Sequence, residues 1–462
     1  MTGLRRVVGL PTVIATSAGM AIATVSLTAD VQVGLHLPGA SGWIPVLLAG
    51  GIAALAAACF AELVGMFPTA AGIKLFIEKA FGEKVALFCA QLYVGISVLI
   101  VGSESYVLAQ VLHYAFPSIG PVWWVLGFLT LMALINLRGI SLTGWTQDLL
   151  TYAMLAGMAG LSLLALMRPG APPVPQPLAT GSGFSFAQAL ALGVFLYLGF
   201  EWVTPLAEEV RDARSIPRGM FVALGVLAVI YSLLHVGMMT LVPKGQLASS
   251  PIPHILFGEA AFGRTGLVIM ALISTLASVT SFNAGLMTAS RFLYAMARDN
   301  AAPGFFARLH PRWATPWVSI IGLYLLSAAM AAFVLATGLF RPFIFLGAAI
   351  ECLIFVAMGA AVLKLRRSMP ERAREYRAGR SGLVPALVVL LYAALMILVF
   401  VPDPNGAPAD TRAQFWALGF LAASAVLVLG YVQWAVPKLR AAAAARAAQS
   451  RRRRRPGADQ KA

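Results

Sequence analysis

The stretch FLYLGFEWVTPLAEE, residues 195–209, sets a carboxyl, Glu201, between Gly199 and Pro205 inside an otherwise apolar run. Proline removes an amide donor and clashes with the preceding turn, and glycine lets the chain leave helical geometry. A carboxyl at such a place is costly unless it meets a partner or water. Opened backbone offers bare amides and carbonyls, and with Glu201 between them this is chemistry for holding a small polar solute. A kinked structural helix with a snorkelling glutamate explains Gly199 and Pro205 alone; Glu201 between them favours the functional reading.

Other residue types with chemical potential are scattered along apolar runs. Glu104 in GSESY is a candidate to face an organic cation, to accept a coupling proton, or to sit solvated near an outer end. Asp30 reads as either an outer vestibule charge or a structural group, and Glu351 as either a member of a proton path or a structural group. Asn283 offers both donor and acceptor. His235 is either a proton relay or a histidine paired with a backbone carbonyl, the commoner case. Ser274, Thr275 and Ser278 either help first-run carbonyls hold sodium or bond their own helix. Glu62 is expected to pair with a loop Lys or Arg. Glu208 and Glu209, followed by Arg211, Arg214 and Arg218, read as a gating ion-pair cluster.

The elements that must carry these residues follow from composition. Of 462 residues, 60% are hydrophobic and 11% charged, with mean hydropathy +0.83. A soluble domain carries roughly 25% charge, so the chain reads as an all-α polytopic membrane protein. Apolar runs near the roughly 20 residues of a membrane helix fall at 10–34, 43–67, 85–112, 121–137, 146–167, 187–207, 217–242, 265–296, 315–336, 341–363, 383–401 and 414–436. The first run lacks a small-residue cleavage site and reads as a retained helix. With the N-terminus inside, 29 of the 34 Lys and Arg residues fall on inside segments and 5 outside. That asymmetry supports the span count and predicts both termini cytoplasmic, in a cell membrane.

The net charge of +16 does not point to nucleic acid, because the run Arg451 to Arg455 has no aromatic interleaving and follows an Ala-rich stretch. It suits lipid headgroups or orientation. Cys59, Cys89 and Cys352 lie in or beside apolar runs without CxxC spacing and read as buried thiols. His36, His113, His235, His254 and His310 show no metal spacing, so neither a metal nor a cofactor is expected.

The first run carries Pro11, then Ser17, Ala18 and Gly19, and continues MAIATVSL from Met20 to Leu27. It stands five spans before the sixth, as an inverted five-plus-five repeat requires, with a weaker break signal. Matching breaks in two halves are the sequence pointer to a transporter site.

Three segments then resemble one family. GFEWVTPLAEEVRDARSIPRGM (199–220), AELVGMFPTAAGIKLFIEKAFGEK (61–84) and FNAGLMTASRFLYAMARDN (282–300, followed by Pro311 and Thr315–Pro316) are similar to elements of the amino acid–polyamine–organocation (APC) permeases. The resemblance implies a LeuT-like fold: repeats at 1–167 and 187–363, a Pro/Gly-rich outside loop at 168–186, a basic inside loop at 364–382, two peripheral helices within 383–436, and a basic, disordered tail at 437–462. It implies alternating access about a midplane site in which amide ends of half-helices face a substrate carboxylate and carbonyl ends face an ammonium. The site residues so implied are Gly19, Met20, Ala23, Thr24, Val25, Glu104, Phe195 as an aromatic gate, Leu198, Gly199, Glu201 and Asn283, with Glu208, Glu209 and Arg211 gating.

Two departures bear on the substrate. A Gly-Ser-Gly element usual in the first span is matched here by Ala23, Thr24 and Val25, and β-branched Val resists unwinding. Where some sodium-independent members carry a lysine, this chain has Met154. The expected activity is secondary transport of an amino acid or related amine, coupled to proton or sodium or run as exchange. The alternatives are a polyamine or organic-cation antiporter and a transport-like sensor. A membrane enzyme is disfavoured, because the sequence offers no nucleophile–base set.

Overall fold

The computed structural model describes residues 6–35, 37–170, 172–174, 183–402 and 408–453. The helices are α1 (Leu10–Ala21), α2 (Thr24–Leu35), α3 (Trp43–Met66), α4 (Gly72–Phe81), α5 (Glu83–Ala115), α6 (Pro121–Arg138), α7 (Ile140–Met167) and α8 (Gly183–Phe195). A 3-10 segment, Phe200–Glu208, follows α8. The chain continues through α9 (Ser215–Leu241), α10 (Lys244–Ser249), α11 (Pro253–Arg298), α12 (Trp317–Thr337), α13 (Arg341–Ser368), α14 (Leu383–Leu398), α15 (Pro408–Gly430) and α16 (Val436–Arg453). Among the described residues ten helical segments are long and apolar enough to cross a membrane; the bent pair α1–α2 adds an eleventh, and α14 is a shorter apolar helix. These coincide with the twelve expected runs.

Large apolar side chains point outward along these helices. Trp123 and Leu427 are each 73% exposed, an arrangement suited to hydrocarbon rather than water. The interior is dense in aromatics around the sixth run. Trp202 stacks on Tyr93 at 4.1 Å between ring centres, and Phe60 meets Phe200 at 6.0 Å and Phe355 at 5.4 Å. The three cysteines are free and buried, as expected.

Two chain breaks organise the bundle. α1 ends at Ala21, Ile22 is extended, and α2 restarts at Thr24 with its axis turned by 60°. α8 ends at Phe195, a turn carries the chain to Gly199, and the 3-10 segment with Pro205 inside replaces regular helix. Both fall in the runs that the sequence marks as interrupted. α11 is also kinked, at non-helical Phe262 and Gly263, just before the eighth run begins at 265.

Two boundaries differ from expectation. The tail read as disordered from 437 continues as helix through Arg453. The Ala-rich stretch 441–448 has the highest helix propensity of any residue type, and Arg440 at its start pairs with Glu83 of α5. The connector at 168–186 lies largely outside the described residues, as do Arg454 and Arg455 of the arginine run.

Ion pairs gather at the end of the bundle that carries the N-terminus, called here the basic end. Glu62 accepts from Arg366 Nη2 at 2.6 Å and Arg374 Nε at 3.1 Å, and from the Ala378 amide at 2.8 Å. This is the expected structural pairing of Glu62 with loop cations, and it anchors the basic loop 364–382 to α3.

Candidate functional site

A small cavity of about 50 Å³ lies between the two breaks. Met20 and Ala23 of the first break line it with Val25 and Ser26 of α2. Phe195 and Leu198 close it from the sixth run, Ile100 and Ser103 from α5, and α13 contributes Phe343, Ile344, Gly347, Ala348 and Glu351. Glu351 is the charged residue among these.

Gly199 is where the two breaks touch. Its φ of +105° lies in the left-handed region that favours glycine, and a Cβ there would come within 3.1 Å of the Met20 carbonyl oxygen. Gly199→Ala therefore adds about 1–3 kcal/mol of backbone strain and wedges the breaks apart. The expected result is a lowered Tm with loss of solute binding. Gly95→Ala in α5 is the control, because a Cβ there meets nothing within 4 Å; an equal effect of both substitutions would remove the special role of Gly199.

Behind the cavity, Glu201 is fully buried. Its Oε1 accepts from the Tyr93 hydroxyl at 3.3 Å, and its Oε2 has no donor among the described residues. The group that faces it is a second carboxyl, Glu351. Glu351 in turn accepts from Trp202 Nε1 at 3.2 Å, with the Gly199 amide nearby. Two facing carboxyls hydrogen-bond to each other only when one of them carries a proton.

At the first break the amide of Thr24, which opens α2, donates to Glu104 Oε1 at 3.1 Å. The Thr24 hydroxyl donates to the Ser274 carbonyl at 2.7 Å and lies 2.6 Å from Ser278 Oγ. The hydroxyls of Ser278 and Ser281 lie beside the Glu104 carboxyl. Thr275, by contrast, spends its hydroxyl on Ala271 of its own helix.

The basic end is closed by two ion pairs. Buried Glu209 Oε2 accepts from Arg291 Nε at 2.9 Å, and half-exposed Arg298 grips Glu208 with both guanidinium nitrogens at 2.9 and 3.0 Å. Glu208 also accepts from Thr69 Oγ1 and the Ala70 amide. The amides of Val7 and Val8 donate to the Glu209 carbonyl, both at 2.9 Å, and the Arg211 amide donates to Val8, which ties the chain entering α1 to the chain leaving the sixth run.

Glu208 and Glu209 thus pair as the sequence proposes, but not with Arg211. The Arg211 side chain is exposed, because its backbone is held against Val8, and the partners come from α11 instead. Two other expectations are corrected. Asn283 lies away from the cavity: it donates to Gln147 Oε1 at 2.8 Å and to the Thr143 carbonyl, and accepts from Asn136 at 2.8 Å, so its amide is spent on holding α6, α7 and α11 together. Gly19 packs on α7, where a Cβ would come within 2.2 Å of Gln147 Nε2.

Asp30 is not a vestibule charge. It is fully buried with its Oδ1 3.2 Å from His235 Nδ1, so His235 pairs with a carboxylate rather than a carbonyl. Met20, Ala23, Val25, Phe195 and Leu198 reach the cavity, while Thr24, Glu104, Gly199 and Glu201 are buried and do not line it. Sequence reasoning missed Tyr93 and Trp202, which look like ordinary core aromatics, and Ser26 and Ser103, whose small hydroxyls give no signal.

These features define a polytopic helical membrane protein with a carboxyl-flanked cavity between two opposed helix breaks, the architecture of a solute carrier. A sequence profile of the family described as amino acid permease matches residues 8–426. The chain belongs to that family, within the APC superfamily expected from its motifs. The Asc-type amino acid transporter 1 of Homo sapiens is 24% identical over 379 residues, 78% of this chain and 70% of its own length. The vacuolar cationic amino acid transporter 4 of Arabidopsis thaliana is 34% identical over 187 residues, 39% of this chain and 30% of its own. The branched-chain amino acid permease BcaP of Bacillus subtilis is 27% identical over 222 residues, 48% of this chain and 46% of its own.

Proposed function

We propose that this permease moves an amino acid or related amine across the cell membrane by alternating access about the cavity between its two breaks. The observation that carries the reading is the contact of Gly199 with the Met20 carbonyl. Two interrupted helices meet there beside a cavity, which is the one place where open backbone is tolerated at membrane depth. The relatives named above act on amino acids, which supports an amine-bearing solute. The repeats run over 1–167 and 187–363 and rock against each other, with both termini cytoplasmic in line with the basic loops. The basic end is then the cytoplasmic gate, fastened by Glu208–Arg298 and Glu209–Arg291.

The coupling ion in this reading is the proton, held by the facing carboxyls of Glu201 and Glu351. Site and gate work as one device, because a bound solute shifts the equilibrium only through its different affinity for the two gate states. Counterflow in proteoliposomes tests the proposal. Labelled amino acid or amine should accumulate against an internal unlabelled pool, and an inward proton gradient should drive net uptake where a sodium gradient does not. Binding without exchange would instead make the protein a sensor.

A further inference from the structure

We propose that His254 is the far end of a proton relay that loads Glu104 through the hydroxyls of Ser274, Thr24 and Ser278. This second proton site goes beyond the transport reading, which places a proton only at Glu201 and Glu351.

The relay is continuous in hydrogen bonds. His254 Nε2 lies 3.0 Å from Ser274 Oγ. Ser274 Oγ donates to Thr24 Oγ1 at 3.2 Å, and Thr24 Oγ1 lies 2.6 Å from Ser278 Oγ. Ser278 in turn lies beside the Glu104 carboxyl. All five residues are fully buried. A hydroxyl inside a helix commonly bonds its own backbone, as Thr275 does with Ala271 at 2.8 Å. Ser274 and Ser278, one turn apart on α11, instead turn their hydroxyls to Thr24. Both ends of the chain are open: His254 Nδ1 and Glu104 Oε2 have no hydrogen-bond partner among the described residues. Tyr231 of α9 is the other titratable group that faces Glu104, and among the described residues no charged group bears on His254. His254 stands in the first turn of α11, whose last turn carries Arg298 at the basic end, so the relay enters from the opposite end of the bundle.

An imidazole takes a proton at one nitrogen while giving one from the other, and a hydroxyl both donates and accepts. A proton arriving at His254 Nδ1 lets Nε2 give its proton to Ser274 Oγ. Ser274 gives its own to Thr24. The Thr24 hydroxyl, which rests on the Ser274 carbonyl at 2.7 Å, swings to give its proton to Ser278, and Ser278 gives one to the Glu104 carboxylate. Each hydroxyl gains one proton and loses one, and His254 ends neutral. Glu104 Oε1 also accepts the Thr24 amide at 3.1 Å. A neutral carboxyl accepts more weakly than a carboxylate, and the start of a helix favours the anion. Loading Glu104 therefore loosens the hold of α5 on α2 at the first break.

Infrared difference spectroscopy on the full-length protein in liposomes tests the relay. After a drop in pH, the carbonyl stretch of protonated carboxyls should rise, and the band missing from Glu104→Gln belongs to Glu104. His254→Gln, Ser274→Ala and Thr24→Val should each slow the rise of that band at least about tenfold, well within what a positioned proton-transfer group contributes, with its final amplitude unchanged. Thr24→Val keeps the backbone amide on Glu104, and unchanged elution and melting establish that the variants fold. Thr275→Val, one residue off the relay, should rise at the normal rate. A merely structural His254 would alter the amplitude and not the rate. No Glu104 band, a smaller slowing in the three variants, or an equal slowing in Thr275→Val overturns the inference and leaves the transport reading standing. A working relay in a protein that exchanges no solute overturns the transport reading alone.

Discussion

Glu201→Gln should abolish net uptake driven by a proton gradient while solute exchange continues. Glutamine has the size of glutamic acid and cannot ionise. Its carbonyl still accepts from the Tyr93 hydroxyl, which lies 3.3 Å from Glu201 Oε1. Its amide donates permanently toward Glu351, as the protonated carboxyl does. Glu351 keeps its donor, Trp202 Nε1, and so remains the anion of the pair. The variant is thus frozen in the proton-loaded arrangement. The half of the cycle that carries solute in both directions survives, and the half that must release a proton does not.

The size of the effect follows from the hydrogen bond at stake. Bonds to a charged group are worth about 1.5–3 kcal/mol, roughly a ten- to hundredfold change in the equilibrium they control. Gradient-driven uptake should fall by at least that factor, with counterflow close to that of the unaltered protein. Uptake at the normal rate would take Glu201 out of the coupling step. Loss of counterflow as well would make the residue a solute ligand rather than a proton carrier.

How much of this was legible in the sequence depends on whether the signal was local. The sixth-run break was legible because glycine, glutamate and proline act on the backbone where they stand. The first break was weaker, since Ala18, Gly19 and Ala23 only permit a break, yet it falls at Ile22 and Ala23 where the family pattern put it. The spans were legible because hydrocarbon thickness fixes helix length. Pairings across the bundle were not. Glu209 and Arg291 are 82 positions apart, and charge in sequence pointed to the nearer Arg211. Asn283 has the chemistry of a ligand, but a polar side chain in a membrane helix is as well used bridging helices, and its role is decided by Asn136 and Gln147. Glu351 was readable as ionisable, but its position against Glu201 comes from how α13 packs on the sixth run.

Arg291→Ala should give a large loss of stability, and Arg298→Ala a small one. Arg291 is fully buried, and Glu209 beside it is only 2% exposed. Removing the guanidinium strands the carboxylate away from water, which costs about 3–5 kcal/mol. Arg298 is 42% exposed and Glu208 22%, so water replaces much of what the lost arginine gave, and the expected cost is about 1 kcal/mol or less. The buried pair also fixes the residue whose carbonyl receives the Val7 and Val8 amides, the contact that ties the chain entering α1 to the chain leaving the sixth run. Arg291→Ala should therefore lower the Tm sharply and let a thiol reagent reach Ala23→Cys from the basic side, where the unaltered gate protects it. Pairing Arg291→Met with Glu209→Gln removes both charges and should restore most of the Tm, because the penalty lies in the stranded carboxylate and not in the missing attraction. Equal losses from Arg291→Ala and Arg298→Ala would mean that burial does not set the strength of the gate.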